Sequence, residues 1–217
     1  MDNTQIEKNF ETYINLLETK IKRDGMERLI KWLKARDTKV APASAKYHCA
    51  YAGGLVEHSL NVYERLKKMV NLQYPIKKVE VNGKVEQLGS CPYSDETIAL
   101  VALLHDISKV GFYSLSEKNV KNENGEWVKE PVYVIKPAQE RVFYGSHSEN
   151  SCYMLSKFIN LDNNELLAIR YHMGGYDNED DRKRTSDAWL ACPLALLLHQ
   201  ADAQATYLDE TQYEQNN

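Results

Sequence analysis

Apolar residues recur at helical spacing from the start of the chain. Ile6, Phe10, Tyr13, Ile14, Leu17 and Ile21 predict an amphipathic helix over residues 4–22. Asp24 with Glu27 predicts a capping box opening a second helix through Leu29, Ile30, Trp32 and Leu33. Pro42 breaks the pattern, and a short helical turn is expected to carry Tyr47, His48 and Tyr51. After the breaker pair Gly53-Gly54, Leu55, Val62, Leu66, Met69 and Val70 form one stripe, with His58 on it. Residues 71–95 leave the helical period; residues 79–86 alternate about Asn82-Gly83 and predict a hairpin. An unbroken apolar run, residues 98–104, reads as a buried helix ending in His105-Asp106-Ile107-Ser108-Lys109. Residues 117–136 read as a second irregular insertion, turning at Asn124-Gly125, with short strands around Trp127, Val132, Val134 and Ile135.

Ser146 is a candidate N-cap for a helix through Cys152, Tyr153, Leu155 and Phe158, which puts His147 in its first turn. Residues 161–171 continue as a helix, and His172-Met173-Gly174-Gly175 ends it with glycines at the C-cap. Acidic residues 177–181 and basic Arg182-Lys183-Arg184 read as a solvated loop bordering His172. Residues 193–208 predict a last helix, with His199 and Asp202 three apart on one face, and residues 210–217 a polar tail that frays. No internal repeat or linker divides the chain.

Composition narrows the classes. With 217 residues, 43% hydrophobic and 27% charged, the chain suits one soluble globular domain. A formal net charge of −4 argues against a broad nucleic-acid surface. Four scattered cysteines without a CxxC pair exclude zinc-finger and redox motifs and fit a reduced cytoplasm. The first eight residues are polar, which predicts no cleaved leader, and no apolar run approaches the roughly 20 residues of a membrane span.

A histidine and an aspartate side by side at the end of a buried run are costly unless satisfied. His105-Asp106 alone reads equally as a buried ion pair or a metal site; Lys109 shares its face. The rest of the chain shifts that balance. His58, His105, Asp106, His147, His172 and Asp202 are polar residues stranded on separate apolar helices or helix ends, apart from the adjacent pair. Four imidazoles and two carboxylates are donors for borderline divalent ions, enough for two if Asp106 bridges.

This ordered set resembles the HD-domain metal-dependent phosphohydrolase superfamily, in its two-metal branch. Ala41-Pro42-Ala43-Ser44, His48 and the stretch from Tyr51 to His58 resemble the HD portion of bacterial 3′-to-5′ exoribonucleases. Those enzymes also carry an OB-fold domain, for which this chain leaves no room. The segments ending in His172-Met173-Gly174-Gly175 and Leu198-His199-Gln200-Ala201-Asp202 resemble small stand-alone HD hydrolases of bacteria and phages.

The resemblance implies an all-α fold: a single HD-domain helical bundle with small β-hairpin insertions, a helical extension over 1–40 and a core over 41–210. It implies two divalent ions (Mn, Fe, Co, Ni, Mg or Zn), the first held by His58, His105, Asp106 and Asp202, the second by Asp106, His147 and His172. Relatives often carry glycine around the third histidine, where this chain has Ser146-His147-Ser148-Glu149. Asp106 and Lys109 would be catalytic, with Lys109 stabilising charge on phosphorus. His48, Tyr51, Arg170, Tyr176, Arg182 and His199 are candidate substrate contacts, although His48 and His199 read equally as structural histidines. The implied activity is hydrolysis of a phosphoester of a nucleotide or short oligonucleotide, in the cytoplasm, with a homo-oligomer left open. The same ligands also serve di-iron oxygenases of the myo-inositol oxygenase type, and a nucleotide-sensing module is a third reading.

Overall fold

The run at 98–104 lies at the centre of the fold. The computed structural model describes residues 1–81, 84–141, 145–176 and 182–210. Ser94 accepts a hydrogen bond from the Thr97 N–H and opens helix α4 (Asp95–Leu104), in which every residue from Thr97 to Leu104 is buried. A helix apolar on all sides must be surrounded. Helix α1 (Asn3–Lys20) lays Tyr13, Ile14 and Leu17 into the same core, and the Tyr13 hydroxyl donates to the Leu103 carbonyl at 3.1 Å. Helix α2 (Met26–Lys34) begins at Gly25, not with the predicted Asp24–Glu27 capping box. Gly25 has φ +91°, so the chain turns through the left-handed region and no side chain caps the helix.

The segment carrying His48 is a set of turns rather than a helical turn. Ser44 Oγ accepts from the Tyr47 N–H and donates to the His48 carbonyl. Helix α3 (Gly54–Gln73) follows. A Cβ on Gly54 would sit 2.0 Å from the Cys49 carbonyl oxygen, so the close approach requires glycine. Strands β1 (Lys77–Val81) and β2 (Lys84–Leu88) pair antiparallel around Asn82-Gly83, which lie outside the described residues. Beyond α4, a short 3-10 turn spans Ile107–Lys109. The second insertion is more regular than predicted. Strands β3 (Tyr113–Lys121) and β4 (Trp127–Ile135) form a nine-rung antiparallel ribbon, from Tyr113↔Ile135 to Lys121↔Trp127.

Helix α5 (His147–Ser156) has the predicted Ser146 cap, closed as a capping box by Glu149. Helix α6 (Asn163–Tyr171) is opened by Asp162 and Glu165 in the same way. Glu165 is buried and receives a two-pronged hydrogen bond from Arg23, tying α6 to the α1–α2 corner. Arg182, Lys183 and Arg184 open helix α7 (Arg182–Ala191) instead of lying in a loop; the acidic stretch 177–181 is outside the described residues. Helix α8 (Pro193–Gln204) passes into a π turn over Ala205–Glu210, and the tail 211–217 is likewise not described. The fold is thus mostly helical, with the two ribbons outside a core cluster that runs from Tyr13 to Ala205. Among the described residues, no helix is long and apolar enough to cross a membrane.

Candidate metal centre

Helix ends aim most of the candidate ligands. His105 is the C-cap of α4 and His172 the C-cap of α6. Each turns its ring back on the last turn of its own helix: His105 Nδ1 donates to the Ala102 carbonyl at 2.8 Å and His172 Nδ1 to the Ile169 carbonyl at 2.7 Å. A carbonyl accepts only, so Nδ1 holds the proton and Nε2 keeps its lone pair. His147 is the first residue of α5; His58 and Asp202 project from α3 and α8.

These side chains converge. His58 Nε2 lies 3.4 Å from His105 Nε2, 3.3 Å from Asp202 Oδ1 and 3.6 Å from Asp106 Oδ2. His105 Nε2 is 3.4 Å from the same Oδ2. Across the carboxylate, Asp106 Oδ1 is 3.3 Å from His147 Nε2 and 3.7 Å from His172 Nε2, with those two nitrogens 3.3 Å apart. Neighbouring donors around a cation with bonds of about 2.1 Å stand roughly 3.0–3.4 Å apart. His58, His105 and Asp106 therefore match one ion, and Asp106, His147 and His172 match another; His105, His172 and Asp202 also fall within 4.8 Å of one another.

A dry polar network does not explain this arrangement. Asp106 Oδ1 is buried and has no hydrogen-bond partner. An orphaned carboxylate oxygen in the interior is costly. The lone pairs of His105 and His172 point into the same space, where a cation would turn mutual repulsion into coordination. The residues present fit a divalent ion.

The charges are strongly coupled. Burial opposes ionisation of Asp106, but Lys109, at 2.6 Å from Oδ2, together with His105 and His147, holds it well below the usual carboxylate range. Burial also opposes a charged His58, yet hydrogen bonds to Asp202 and Glu210 outweigh it and raise its pKa to about 10. The carboxylates that draw a proton onto His58 would equally draw a metal. His172 moves the other way, to about 3, through burial and then the neighbouring His105 and His147.

A protein-family model described as HD domain matches residues 55–206. The chain belongs to the HD-domain family. HD-domain proteins are generally metal-dependent hydrolases that bind divalent ions, and the buried His/Asp cluster fits that chemistry. No curated protein and no solved structure matches the chain.

Around the HD-domain cluster, the other candidates are placed unevenly. The His48 ring lies 4.8 Å from the His58 ring, and its buried Nε2 has no hydrogen-bond partner. Burial, then the charges of His58 and Lys109, lower its pKa to about 4. His199 Nδ1 donates to the His172 carbonyl at 2.6 Å, with Trp189 against its ring, so it braces a cluster histidine from behind. The Tyr51 hydroxyl donates to Glu57 at 2.7 Å and lies 3.3 Å from Cys49 Sγ. Arg170 pairs with Glu149. Tyr176 is 76% exposed, and neither it nor Arg182 makes a hydrogen bond or ion pair with the cluster among the described residues.

Sequence reasoning missed Glu210. Its carboxylate accepts from His58 Nδ1 at 3.0 and 3.1 Å and from Asn61 Nδ2 at 3.0 Å, with the side chain 1% exposed. It fixes the His58 tautomer, aiming Nε2 at the cluster. It also missed the support beneath His147: Ser108 Oγ donates to the His147 carbonyl at 2.8 Å, and Ser151 Oγ donates to Ser108 Oγ. The one signal for Glu210 is a carboxylate beyond Asp202, in a stretch without apolar pattern.

Proposed function

We propose that this HD domain hydrolyses a phosphoester of a nucleotide or short oligonucleotide with two divalent ions. His58, His105, Asp106 and Asp202 hold one ion, and Asp106, His147 and His172 hold the other. The observation that carries the reading is Asp106. Its Oδ2 faces one set of imidazoles, and its orphaned, buried Oδ1 faces the other.

When bound, two such ions lower the pKa of a water into the neutral range and polarise phosphoryl oxygens. Two dications against Asp106 and Asp202 leave a charge of about +2, suited to a phosphate. Lys109, with an 11% exposed side chain, is held by Asp106 at the rim of the cluster, where it stabilises charge growing on phosphoryl oxygens. His48 stays neutral at pH 7, and its unpartnered Nε2 is free to hydrogen-bond substrate. The nucleotide class rests on the likeness of residues 41–58 to the HD portion of exoribonucleases. Four free thiols favour a reducing compartment, the cytoplasm.

The test is hydrolysis of a generic phosphodiester and of mononucleotides by the metal-loaded protein. Chelation and Asp106→Ala should each abolish turnover while far-UV circular dichroism shows a folded chain. An active Asp106→Ala variant would refute the assignment.

A further inference from the structure

A cavity lies behind the turn that carries Lys109, bounded by α2, α5 and the chain from Ser108 to Phe112. Its volume is about 270 Å³, close to the lower end of small-molecule sites. None of the cluster histidines or aspartates lines it. Four cations do, Arg36, Lys136, Arg141 and Lys157, against one carboxylate, Glu140. That balance runs against a chain with 31 acidic and 27 basic residues. Among the described residues, Arg36, Lys136 and Arg141 form no ion pair with Glu140 or any other acid. Arg36 instead stands 5.6 Å over the Trp32 ring and Arg141 5.9 Å over the Phe112 ring, while Lys136 donates to the Gly111 carbonyl. Arg141 Nε is buried without an acceptor. Unpaired cations around one hollow repel each other, and a buried N–H without a partner is costly. An anion relieves both. The walls supply the other half of a ligand: Trp32 and Phe112 line the cavity as aromatic surface, each within reach of one of the arginines.

We propose that this cavity is a second ligand site, distinct from the metal centre, that takes a mononucleotide, with the cations on its phosphate and the aromatic residues on its base. Its contact with the metal centre is Ser108, which lines the cavity and holds the His147 carbonyl. An occupant therefore presses on the helix that presents His147. The inference does not depend on the phosphohydrolase reading.

The experiment is calorimetric titration of the full-length, metal-loaded protein with adenosine 5′-monophosphate, alongside tryptophan fluorescence. Arg36→Ala, at an exposed position, and Arg141→Ala should each weaken this binding about tenfold, as loss of a charge-assisted phosphate contact does. Hydrolysis of a generic phosphodiester should stay within about twofold, and Trp32→Phe should remove the fluorescence response. The proposal is overturned if both arginine variants bind as the parent does, if chelation abolishes all nucleotide binding, or if Trp32→Phe leaves the response intact. Equal affinity for inorganic phosphate would overturn the assignment of a base. Loss of diester hydrolysis in the parent protein would sink the catalytic reading alone, because nucleotide binding here is read without turnover.

Discussion

Replacing Glu210 by alanine tests how the His58 side of the candidate metal cluster is built. The substitution removes the acceptor for His58 Nδ1 at 3.0–3.1 Å and for Asn61 Nδ2 at 3.0 Å. His58 is fully buried, so its Nδ1–H finds no water in exchange. Leaving such a donor unsatisfied costs about 1–3 kcal/mol. For a chain of this length, each kcal/mol lowers the unfolding midpoint by about 2–4 °C. The ring also loses its orientation and its preference for the Nε2 lone pair, and removal of such a supporting partner typically lowers metal affinity about 10–100-fold. The assay is Co²⁺ or Mn²⁺ affinity of the metal-stripped protein by calorimetry, beside a thermal melt without metal. Glu210→Gln keeps an acceptor oxygen and should recover most of the affinity. Leu208→Ala, at an exposed position in the same π turn, should leave it unchanged. An unchanged affinity in Glu210→Ala would refute the positioning role. An equal loss in Leu208→Ala would attribute the effect to the turn as a whole.

Three further expectations follow from the same geometry. Stripping divalent ions should lower the melting temperature, because ions bound at about 100 times their Kd stabilise the fold by about 2.7 kcal/mol per site; differential scanning fluorimetry with and without chelator reads this, and coincident curves would count against the cluster as a metal site. Arg23→Ala would leave the buried charge of Glu165, whose side chain is 0% exposed, with only the Asp162 N–H and the Thr97 hydroxyl as partners, and should destabilise the fold by about 3 kcal/mol, the lower end for broken buried pairs because those bonds remain and Arg23 itself is 24% exposed; urea titration checks it, and a loss under 1 kcal/mol would show that the pair carries little of the fold. Gly54→Ala places a Cβ 2.0 Å from the Cys49 carbonyl, so the loop bearing His48 must shift, and about 1–3 kcal/mol of stability should be lost in the same titration.

The parts of this protein legible in its sequence share one property: a local pattern dense enough to force a structure. The 98–104 run is apolar throughout and reads as a buried helix, and Ser146 marks a helix start by its cap. Helix α7 was not legible, because only Thr185 and Ala188 of Arg182–Ala191 are buried and no apolar stripe marks it. The start of α2 was misread because Asp24 and Glu27 imitate a capping box, whereas the backbone turns at Gly25. The hydrogen bond from the Tyr51 hydroxyl to Glu57 was likewise not legible, because it depends on how the turns before α3 fold back on that helix.

The sequence by itself determined the chemistry at the centre. Buried imidazoles and carboxylates are too costly to place on apolar helices without a shared partner, so their number and types carry the metal reading. Only the tertiary structure decided their distances, because those depend on how five helices meet. It brought two donor sets to opposite oxygens of Asp106, and it folded the turn Ala205–Glu210 back to place Glu210 behind His58. Helical periodicity specifies which face a residue occupies; which faces meet, and at what separation, is set by the packing of the whole core.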